Sequence, residues 1–562
     1  MHKQLSNKYI YWLILLTICV NFIGAFYPLL RNDDPVLYAT ISKNMVLSGN
    51  WFNLMYDQKD WLDKPHFPFW ITGISFKIFG INSFAYILPG FLFHIIGAIF
   101  TYLLCLELLK DKQIALFSVL IYLTSIHLLI SSIDVRAEAY LLGEIMGACY
   151  FWYKYDQTAG ISFKYLVLGS IFSACAIMTK GPFVLITIGT GFVLMWIYQK
   201  KFYNLYSLKW LLAILLSICF TFPEIYSLYQ QFDLHPEKVV FNRTGVSGIL
   251  WFFWGSQFGR FLNNGYIKVN YVQQYHYLFF LHTFLWAFLP WSVFFMFAKI
   301  FSIKSLRKNS NVSNEQISVN IFLLGAFVPT FILFSLTKFQ LDHYTNILMP
   351  FAAILCARWY HVMLSKCVDS KIHWVFYLQI IIATIFLILA VSLALYLLNS
   401  TNLIIALLAD AIMLWVLIYA MSFNIMHRAL VMSVLAINMV FVLITQINQK
   451  YMYYDPGYLA AKIVNEQANY PIIDYNVNSV TFNFYAKQSY HKVFKIEDIK
   501  KLTLPVYMLI KTNDISLLDA NNIHYVVIAQ IRGTSINGFI ASLINHDKLK
   551  DYLTEYSILE IK

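Results

Sequence analysis

Residues Arg31 to Pro68 read RNDDPVLYATISKNMVLSGNWFNLMYDQKDWLDKPHFP. This stretch decides the fold because it is a polar island between strongly apolar runs. It opens on adjacent acids, Asp33 and Asp34, and carries a second charged cluster at Asp57, Lys59, Asp60, Asp63 and Lys64. Aromatic residues recur throughout. The length allows short amphipathic helices, with Pro65 and Pro68 as breaks. The flanking chain reads as a membrane scaffold that holds this loop beside a few other charged residues.

Composition supports that scaffold. Of 562 residues, 59% are hydrophobic and only 12% are charged. The mean hydropathy is +0.61. A water-soluble surface needs more charge than this. The net charge of +12 does not indicate nucleic acid, because the basic residues sit mostly in short loops between apolar runs. The seven cysteines form neither a disulfide framework nor a zinc spacing. The apolar N-terminal run lacks a small-residue cleavage site after it and reads as a retained signal anchor.

A membrane-crossing helix needs about 20 mostly apolar residues. Such runs fall near 9–30, 84–108, 114–131, 136–152, 163–179, 181–198, 209–227, 277–300, 318–336, 343–360, 375–396, 402–420 and 429–446, which makes 13 spans. With the N-terminus in the cytoplasm, nearly every short inside loop is basic. Lys110 and Lys112, Lys200 and Lys201, Lys304, Arg307 and Lys308, and Lys366 and Lys371 are examples. An odd number of spans places the tail on the outer side.

Two domains follow. Residues 1–447 form the transmembrane domain, with external loops 31–83 and 228–276, and residues 448–562 form an external α/β domain. In the tail, PVYMLIKT (505–512) and YVVIAQI (525–531) read as strands rich in Val, Ile and Tyr. The tail has no glycine-rich phosphate loop, and the chain has no Walker motif, which argues against ATP-driven transport. The external side gathers charges of both signs from distant parts of the chain. These are Asp33 and Asp34, Asp63 and Lys64, Asp134, Arg136 and Glu138, Lys180, Arg260, and Lys338, Asp342 and His343. Charges at span ends are costly unless paired or facing a cavity. A polar outer face of this kind suits an enzyme working at the membrane surface. A divalent metal held by His343 with Asp63 or Asp134 is an open candidate.

Asp34–Tyr38, Asp63–Lys64–Pro65, Arg136–Ala137–Glu138 and Thr179–Lys180–Gly181–Pro182 together resemble the ArnT and protein O-mannosyltransferase superfamily of integral-membrane glycosyltransferases. Trp251–Phe261 and Ser335–Pro350 extend the likeness over most of the first 360 residues. The resemblance implies the GT-C fold, a polyprenyl-phosphate-linked sugar as donor, and inversion at the sugar. It implies a lipid A, lipopolysaccharide or protein acceptor, a bacterial inner-membrane setting and no nucleic acid. Aligned on Tyr38, the family's first acid falls on Asp34 and its second on Pro35, while its basic position holds Leu37. Asp33 sits one place early. Sugar and acceptor therefore stay open. Asp34, with Asp33 as rival, is the candidate base or acceptor-orienting acid. Lys64, Arg260, Lys338 and Arg136 are candidate phosphate ligands. Asp63, Tyr38, Asp134, Glu138, Lys180 and His343 complete the candidate polar face. A glycolipid ligase, a flippase and a transporter are the rival readings.

Overall fold

The computed structural model describes residues 6–27, 33–267, 277–306, 313–365, 373–397, 423–544 and 549–562. The expected span at 402–420 and the basic residues Arg307, Lys308, Lys366 and Lys371 lie outside these. The chain divides into two compact units. The first is Met1–Gly24, Leu62–Pro68 and Ile87–Leu443. The second is Ala25–Trp61, Phe69–Tyr86 and Ile444–Lys562. The loop expected at 31–83 is therefore split, with Leu62–Pro68 alone in the first unit.

The early helices are α1 (Asn7–Gly24), α2 (Asp34–Ser48), α3 (Phe67–Phe79), α4 (Ser83–Leu109), α5 (Lys112–Leu123), α6 (Ile126–Ser131), α7 (Ala137–Asp156), α8 (Phe163–Lys180) and α9 (Val184–Tyr198). Within the first unit, α7 packs along α8, α9 packs along Asn314–Leu336, and α5 packs along Met349–Ser365. Local signals set several ends. The Asp111 carboxylate accepts from the amides of Gln113 at 2.8 Å and Ile114 at 2.9 Å, capping α5. Asp33, in extended backbone, is the N-cap of α2 and accepts from the Asp34 amide at 2.8 Å. Pro68 stands in the first turn of α3, where no intrahelical N–H is needed, so it starts that helix instead of breaking it.

Among the described residues, seven helices are long and apolar enough to cross a membrane, or nine if each of two bent pairs is one span. The sequence led us to expect 13. The expected span at 114–131 is interrupted at Thr124 and Ser125. That at 209–227 bends by 40°, and that at 277–300 folds back by 115° between Phe279–Ala287 and Ser292–Lys304. Helix α7 is too polar to qualify, yet Glu138 and Glu144 on it are 1% and 0% exposed. Protein covers them, and the Thr179 hydroxyl donates to Glu144 at 2.8 Å.

Two of the interruptions serve each other. A break in a helix frees backbone groups that lipid cannot satisfy. The Ile126 amide donates to the Leu289 carbonyl at 3.0 Å. The Trp291 indole donates to the Thr124 carbonyl at 3.2 Å and to its hydroxyl at 3.0 Å. The Gln379 amide donates to the Pro290 carbonyl at 2.8 Å.

The second unit contains α2, α3 from Phe69 onward, a two-stranded hairpin of β1 (Met55–Tyr56) and β2 (Lys59–Asp60), and a mixed sheet. The sheet strands are β3 (Ile472–Tyr475), β4 (Tyr490–Val493), β5 (Val506–Lys511), β6 (Tyr525–Gly533) and β7 (Thr554–Ile561), in spatial order β4-β3-β5-β7-β6. The first three run parallel, and β7 is antiparallel to both β5 and β6. Strand β5 shows why the pattern reads so clearly. Val506, Met508 and Ile510 enter one apolar cluster, and Tyr507 and Leu509 enter another. The two tail strands expected from the sequence are thus β5 and β6. The α/β tail is confirmed.

Gly457 tests the packing of this tail. A Cβ there would meet the Ser479 and Thr481 hydroxyls. The Thr481 hydroxyl already donates to Asp455 at 2.6 Å. We expect Gly457→Ala to destabilise the α/β module by about 1–3 kcal/mol, seen as earlier thermal unfolding and faster proteolysis of the tail. An unchanged melting profile would count against this packing.

Candidate active site

The first unit holds a cavity of about 500 Å³. Its walls are largely aromatic and aliphatic: Phe183, Phe253, Phe258, Phe261, Leu333, Phe334 and Phe339 contribute. Three cations and one carboxylate line it: Lys64, Lys180, Arg260 and Asp63. Four residues singled out in the sequence therefore come together here.

Asp63 is the shared anion. The Lys64 ammonium donates to it at 2.5 Å, and the Arg260 guanidinium donates to its carboxylate and, at 3.2 Å, to its carbonyl. Burial alone would raise the Asp63 carboxyl. The Lys64 and Arg260 cations outweigh it and hold the group down at about 2. The group is therefore ionised at neutral pH. The loop itself is clamped one residue beyond Pro65. The His66 amide donates to Glu224 at 2.8 Å, and its ring Nδ1 lies 3.1 Å from the other carboxylate oxygen. Both residues are buried, at 1% and 0% exposure.

Arg260 follows a π-helical segment, Trp251–Gly259, that presents Phe253, Ser256, Gln257 and Phe258 to the cavity. Its guanidinium lies 5.4 Å from the Phe339 ring centre. The Lys338 amide donates to the Phe261 carbonyl at 3.1 Å, which ties the two wall segments together. The Lys338 side chain is exposed, and its neighbours Thr337 and Phe339 line the cavity instead.

Lys180 closes α8 and pairs with Glu138 in the first turn of α7. Each charge suits its helix end, an anion at an N-terminus and a cation at a C-terminus. The Lys180 ammonium also stands 3.9 Å from the Tyr344 ring centre. Gly181 follows with φ of +105°, and the Gln257 amide occupies the place a Cβ would take. Behind Glu138 lies His343, with Nε2 3.7 Å from Glu138 and Nδ1 3.2 Å from Asp342. His343 thus faces Glu138 and Asp342, not the Asp63 or Asp134 expected as partners. The turn at Asp342–Leu348 aims its ring at the start of α7. Among the described residues no group of three His, Cys, Asp or Glu side chains is placed to hold a metal ion.

Arg136 pairs with Asp134 at 3.3 Å and is not among the lining residues. Asp33, Asp34 and Tyr38 belong to the second unit. There Tyr38 packs edge-on against Trp61 and Phe69, with ring centres 6.1 Å and 5.8 Å apart. Sequence reasoning missed Tyr344, Gln257 and the His66–Glu224 clamp. Glu224 had a signal, a lone acid inside the apolar run 209–227.

Residues 32–239 match the family model of dolichyl-phosphate-mannose-protein mannosyltransferases. An uncharacterised protein of Aquifex aeolicus is 25% identical over 350 residues, 61% of this chain and 62% of its own length. An undecaprenyl phosphate-alpha-4-amino-4-deoxy-L-arabinose arabinosyl transferase of Enterobacter is 28% identical over 334 residues, 58% of this chain. The match spans just over half of that relative, 55%. The crystal structure of ArnT from Cupriavidus metallidurans bound to undecaprenyl phosphate superposes with a TM-score of 0.72 at 17% identity. It covers 93% of this chain and 97% of that one. At that identity the likeness shows a shared fold. The chain is a multi-pass, mostly helical membrane protein with a C-terminal α/β domain, as that fold requires.

The Glu138–Lys180 pair can be tested directly. Removing one partner of a buried ion pair strands the other, at about 3–5 kcal/mol, whereas removing both costs far less. Glu138→Gln should therefore lower the melting temperature in detergent sharply, and the double variant Glu138→Leu/Lys180→Met should recover most of the loss. Additive losses would show that the pair is not coupled.

Proposed function

We propose that the chain is an inverting glycosyltransferase that moves a sugar from a polyprenyl-phosphate donor to an envelope acceptor, foremost lipid A or lipopolysaccharide. The observation that carries this reading is the cavity of the first unit, apolar along its walls and lined by Lys64, Lys180 and Arg260. Apolar walls suit an isoprenoid chain, and clustered cations suit a phosphate. The activity of the Enterobacter relative and the undecaprenyl phosphate bound by the Cupriavidus protein support the same class of donor. Protein O-glycosyl transfer is the second reading, favoured by the mannosyltransferase family model over residues 32–239.

In this reading the acceptor oxygen forms a bond to the anomeric carbon as the bond from that carbon to the phosphate oxygen breaks. Polyprenyl phosphate leaves with the electron pair. Lys64, Arg260 and Lys180 stabilise its charge. Asp63 holds Lys64 and Arg260 at fixed distance. A hydroxyl acceptor gives its proton to Asp34. An acceptor that is already an ionised phosphate needs no base, and Asp34 then orients it or supports positive charge on the sugar.

The capping role falls on Asp33 in the structure. Asn caps a helix about as well as Asp, so Asp33→Asn should be mild. We expect Asp34→Asn to abolish most transfer while leaving the amount and melting of the protein unchanged. Retention of more than half the wild-type turnover would remove Asp34 from this role. Lys64→Ala should lose about 2–4 kcal/mol of transition-state stabilisation, measured as kcat/KM for the lipid-linked donor. Unchanged donor affinity and turnover would exclude it.

We further assign 13 spans in the bacterial inner membrane, with the N-terminus cytoplasmic and both the active site and the α/β domain periplasmic. The basic inside loops support this orientation. A reporter active only outside the cytoplasm should work when fused after Lys562. A cytoplasmic signal from a folded fusion would overturn the orientation.

A further inference from the structure

The second unit holds a buried cation that the proposed reaction does not use. Lys43 lies on α2, nine residues beyond Asp34, and is only 4% exposed. Its ammonium donates to three main-chain carbonyls: Asn483 at 2.6 Å, Phe484 at 3.2 Å and Ala486 at 2.6 Å. These carbonyls lie at the end of the short helix Val480–Tyr485. The last carbonyls of a helix lack partners within it and carry the negative end of its dipole. An ammonium has three donors, and all three are used here.

The remaining carbonyl of the stretch is also accounted for. Tyr485 accepts from the Asn465 side-chain amide at 2.9 Å, and the Asn465 side-chain oxygen accepts from the Lys487 amide at 2.8 Å. Each carbonyl from Asn483 to Ala486 thus has a partner, and three of the four depend on Lys43. Burial weighs against the charge and brings the amine down to about 8. A lysine needed only for packing would be poorly chosen, since methionine fills similar space without a charge to desolvate.

Further ties reach the same segment. The Phe76 ring lies 6.2 Å from that of Phe484, the Ser83 hydroxyl is 3.0 Å from the Tyr485 hydroxyl, and the Gln58 amide pairs with the His491 ring. Lys43 is the charged tie of this set. Helix α2 is continuous from Asp34 to Ser48, so fixing it at Lys43 fixes its first turn about 13 Å away along the axis.

We propose that Lys43 is a positioning residue, which pins α2 to the C-terminal α/β module and so holds Asp33 and Asp34 in place for the reaction. The module is then a brace for the acid-bearing helix, not a site in its own right. The inference rests on the reading of Asp34 as the reacting acid.

The test uses purified full-length protein and two variants, Lys43→Met and Lys43→Arg. Hydrogen exchange is read first, because it needs no activity. We expect Lys43→Met to speed exchange at least tenfold both in residues 483–489 and in the first turns of α2. Unchanged exchange in α2 would overturn the pin. Steady-state transfer is read second, with undecaprenyl phosphate alone as the binding probe. We expect kcat to fall at least tenfold, with undecaprenyl phosphate binding and donor KM within threefold of wild type. Lys43→Arg, which keeps the cation, should recover most of kcat. A kcat equal to wild type, or a loss matched by lost binding, would overturn the positioning role. If the unaltered protein transfers no sugar, the proposed function falls, and the exchange result alone decides the pin. If Lys43→Met does not accumulate, Lys43→Gln, which keeps two donors, is read against the same outcomes.

Discussion

The structure of the first unit turns on one carboxylate shared by two cations. Lys64, Arg260 and Lys180 line one cavity with apolar walls. Three like charges in such a place repel one another, and each loses several kcal/mol of hydration. Asp63 offsets this for two of them and Glu138 for the third. The consequence is a site that is cationic without being self-disrupting. The same carboxylates set geometry. Asp63 brings together residues 196 and 197 positions apart from Arg260, counting from Lys64 and from itself. The loop that carries it is fixed through the His66 amide by Glu224. The cations are therefore held by acids before any ligand arrives, which reduces what binding must order.

Burial of polar groups recurs elsewhere in the fold with a common solution. Glu144 takes a hydroxyl donor from the neighbouring helix α8. Lys43 takes three carbonyls. Asp474, fully buried in β3, accepts from the amides of Val477, Asn478 and Ser479 at 2.9, 3.0 and 2.7 Å. Burial raises its carboxyl, and those three amides oppose the shift. In each case a short-range partner replaces water, because an unpaired polar group in the interior costs more than the net gain of an ordinary hydrogen bond.

Much of this was legible in the sequence, and the failures have physical causes. Apolar runs revealed nearly all the helices of the bundle, since lipid selects composition over about 20 residues. They did not reveal Thr124–Ser125 or the reversal near Pro290, because composition is blind to a break whose backbone groups find partners elsewhere. Runs rich in Val, Ile and Tyr revealed β5, whose two faces enter different cores, and β6. Of the polar face read from the sequence, Asp63, Lys64, Lys180 and Arg260 line the cavity, while Arg136, Asp134, Glu138 and His343 do not. Tyr344 escaped because an aromatic residue in an apolar chain carries no signal. The Lys43 clamp escaped for a deeper reason. Its acceptors are main-chain carbonyls some 440 residues away, and a carbonyl has no letter in the sequence. Lys338 was over-read, since its charge drew attention to a segment that contributes its neighbours instead.

The paired interruptions of the bundle bear on how the protein is made. Thr124 and Trp291, which meet across them, are 167 residues apart. A chain entering the bilayer segment by segment presents the first break long before the second exists. Until Trp291 emerges, the Thr124 carbonyl lacks its native donor. Until Leu289 emerges, the Ile126 amide lacks its native acceptor. The early segments are thus inserted in a provisional state and settle only when the later ones dock. Biogenesis of the bundle is a process with a deferred last step, and the order of synthesis leaves its first half waiting on its second.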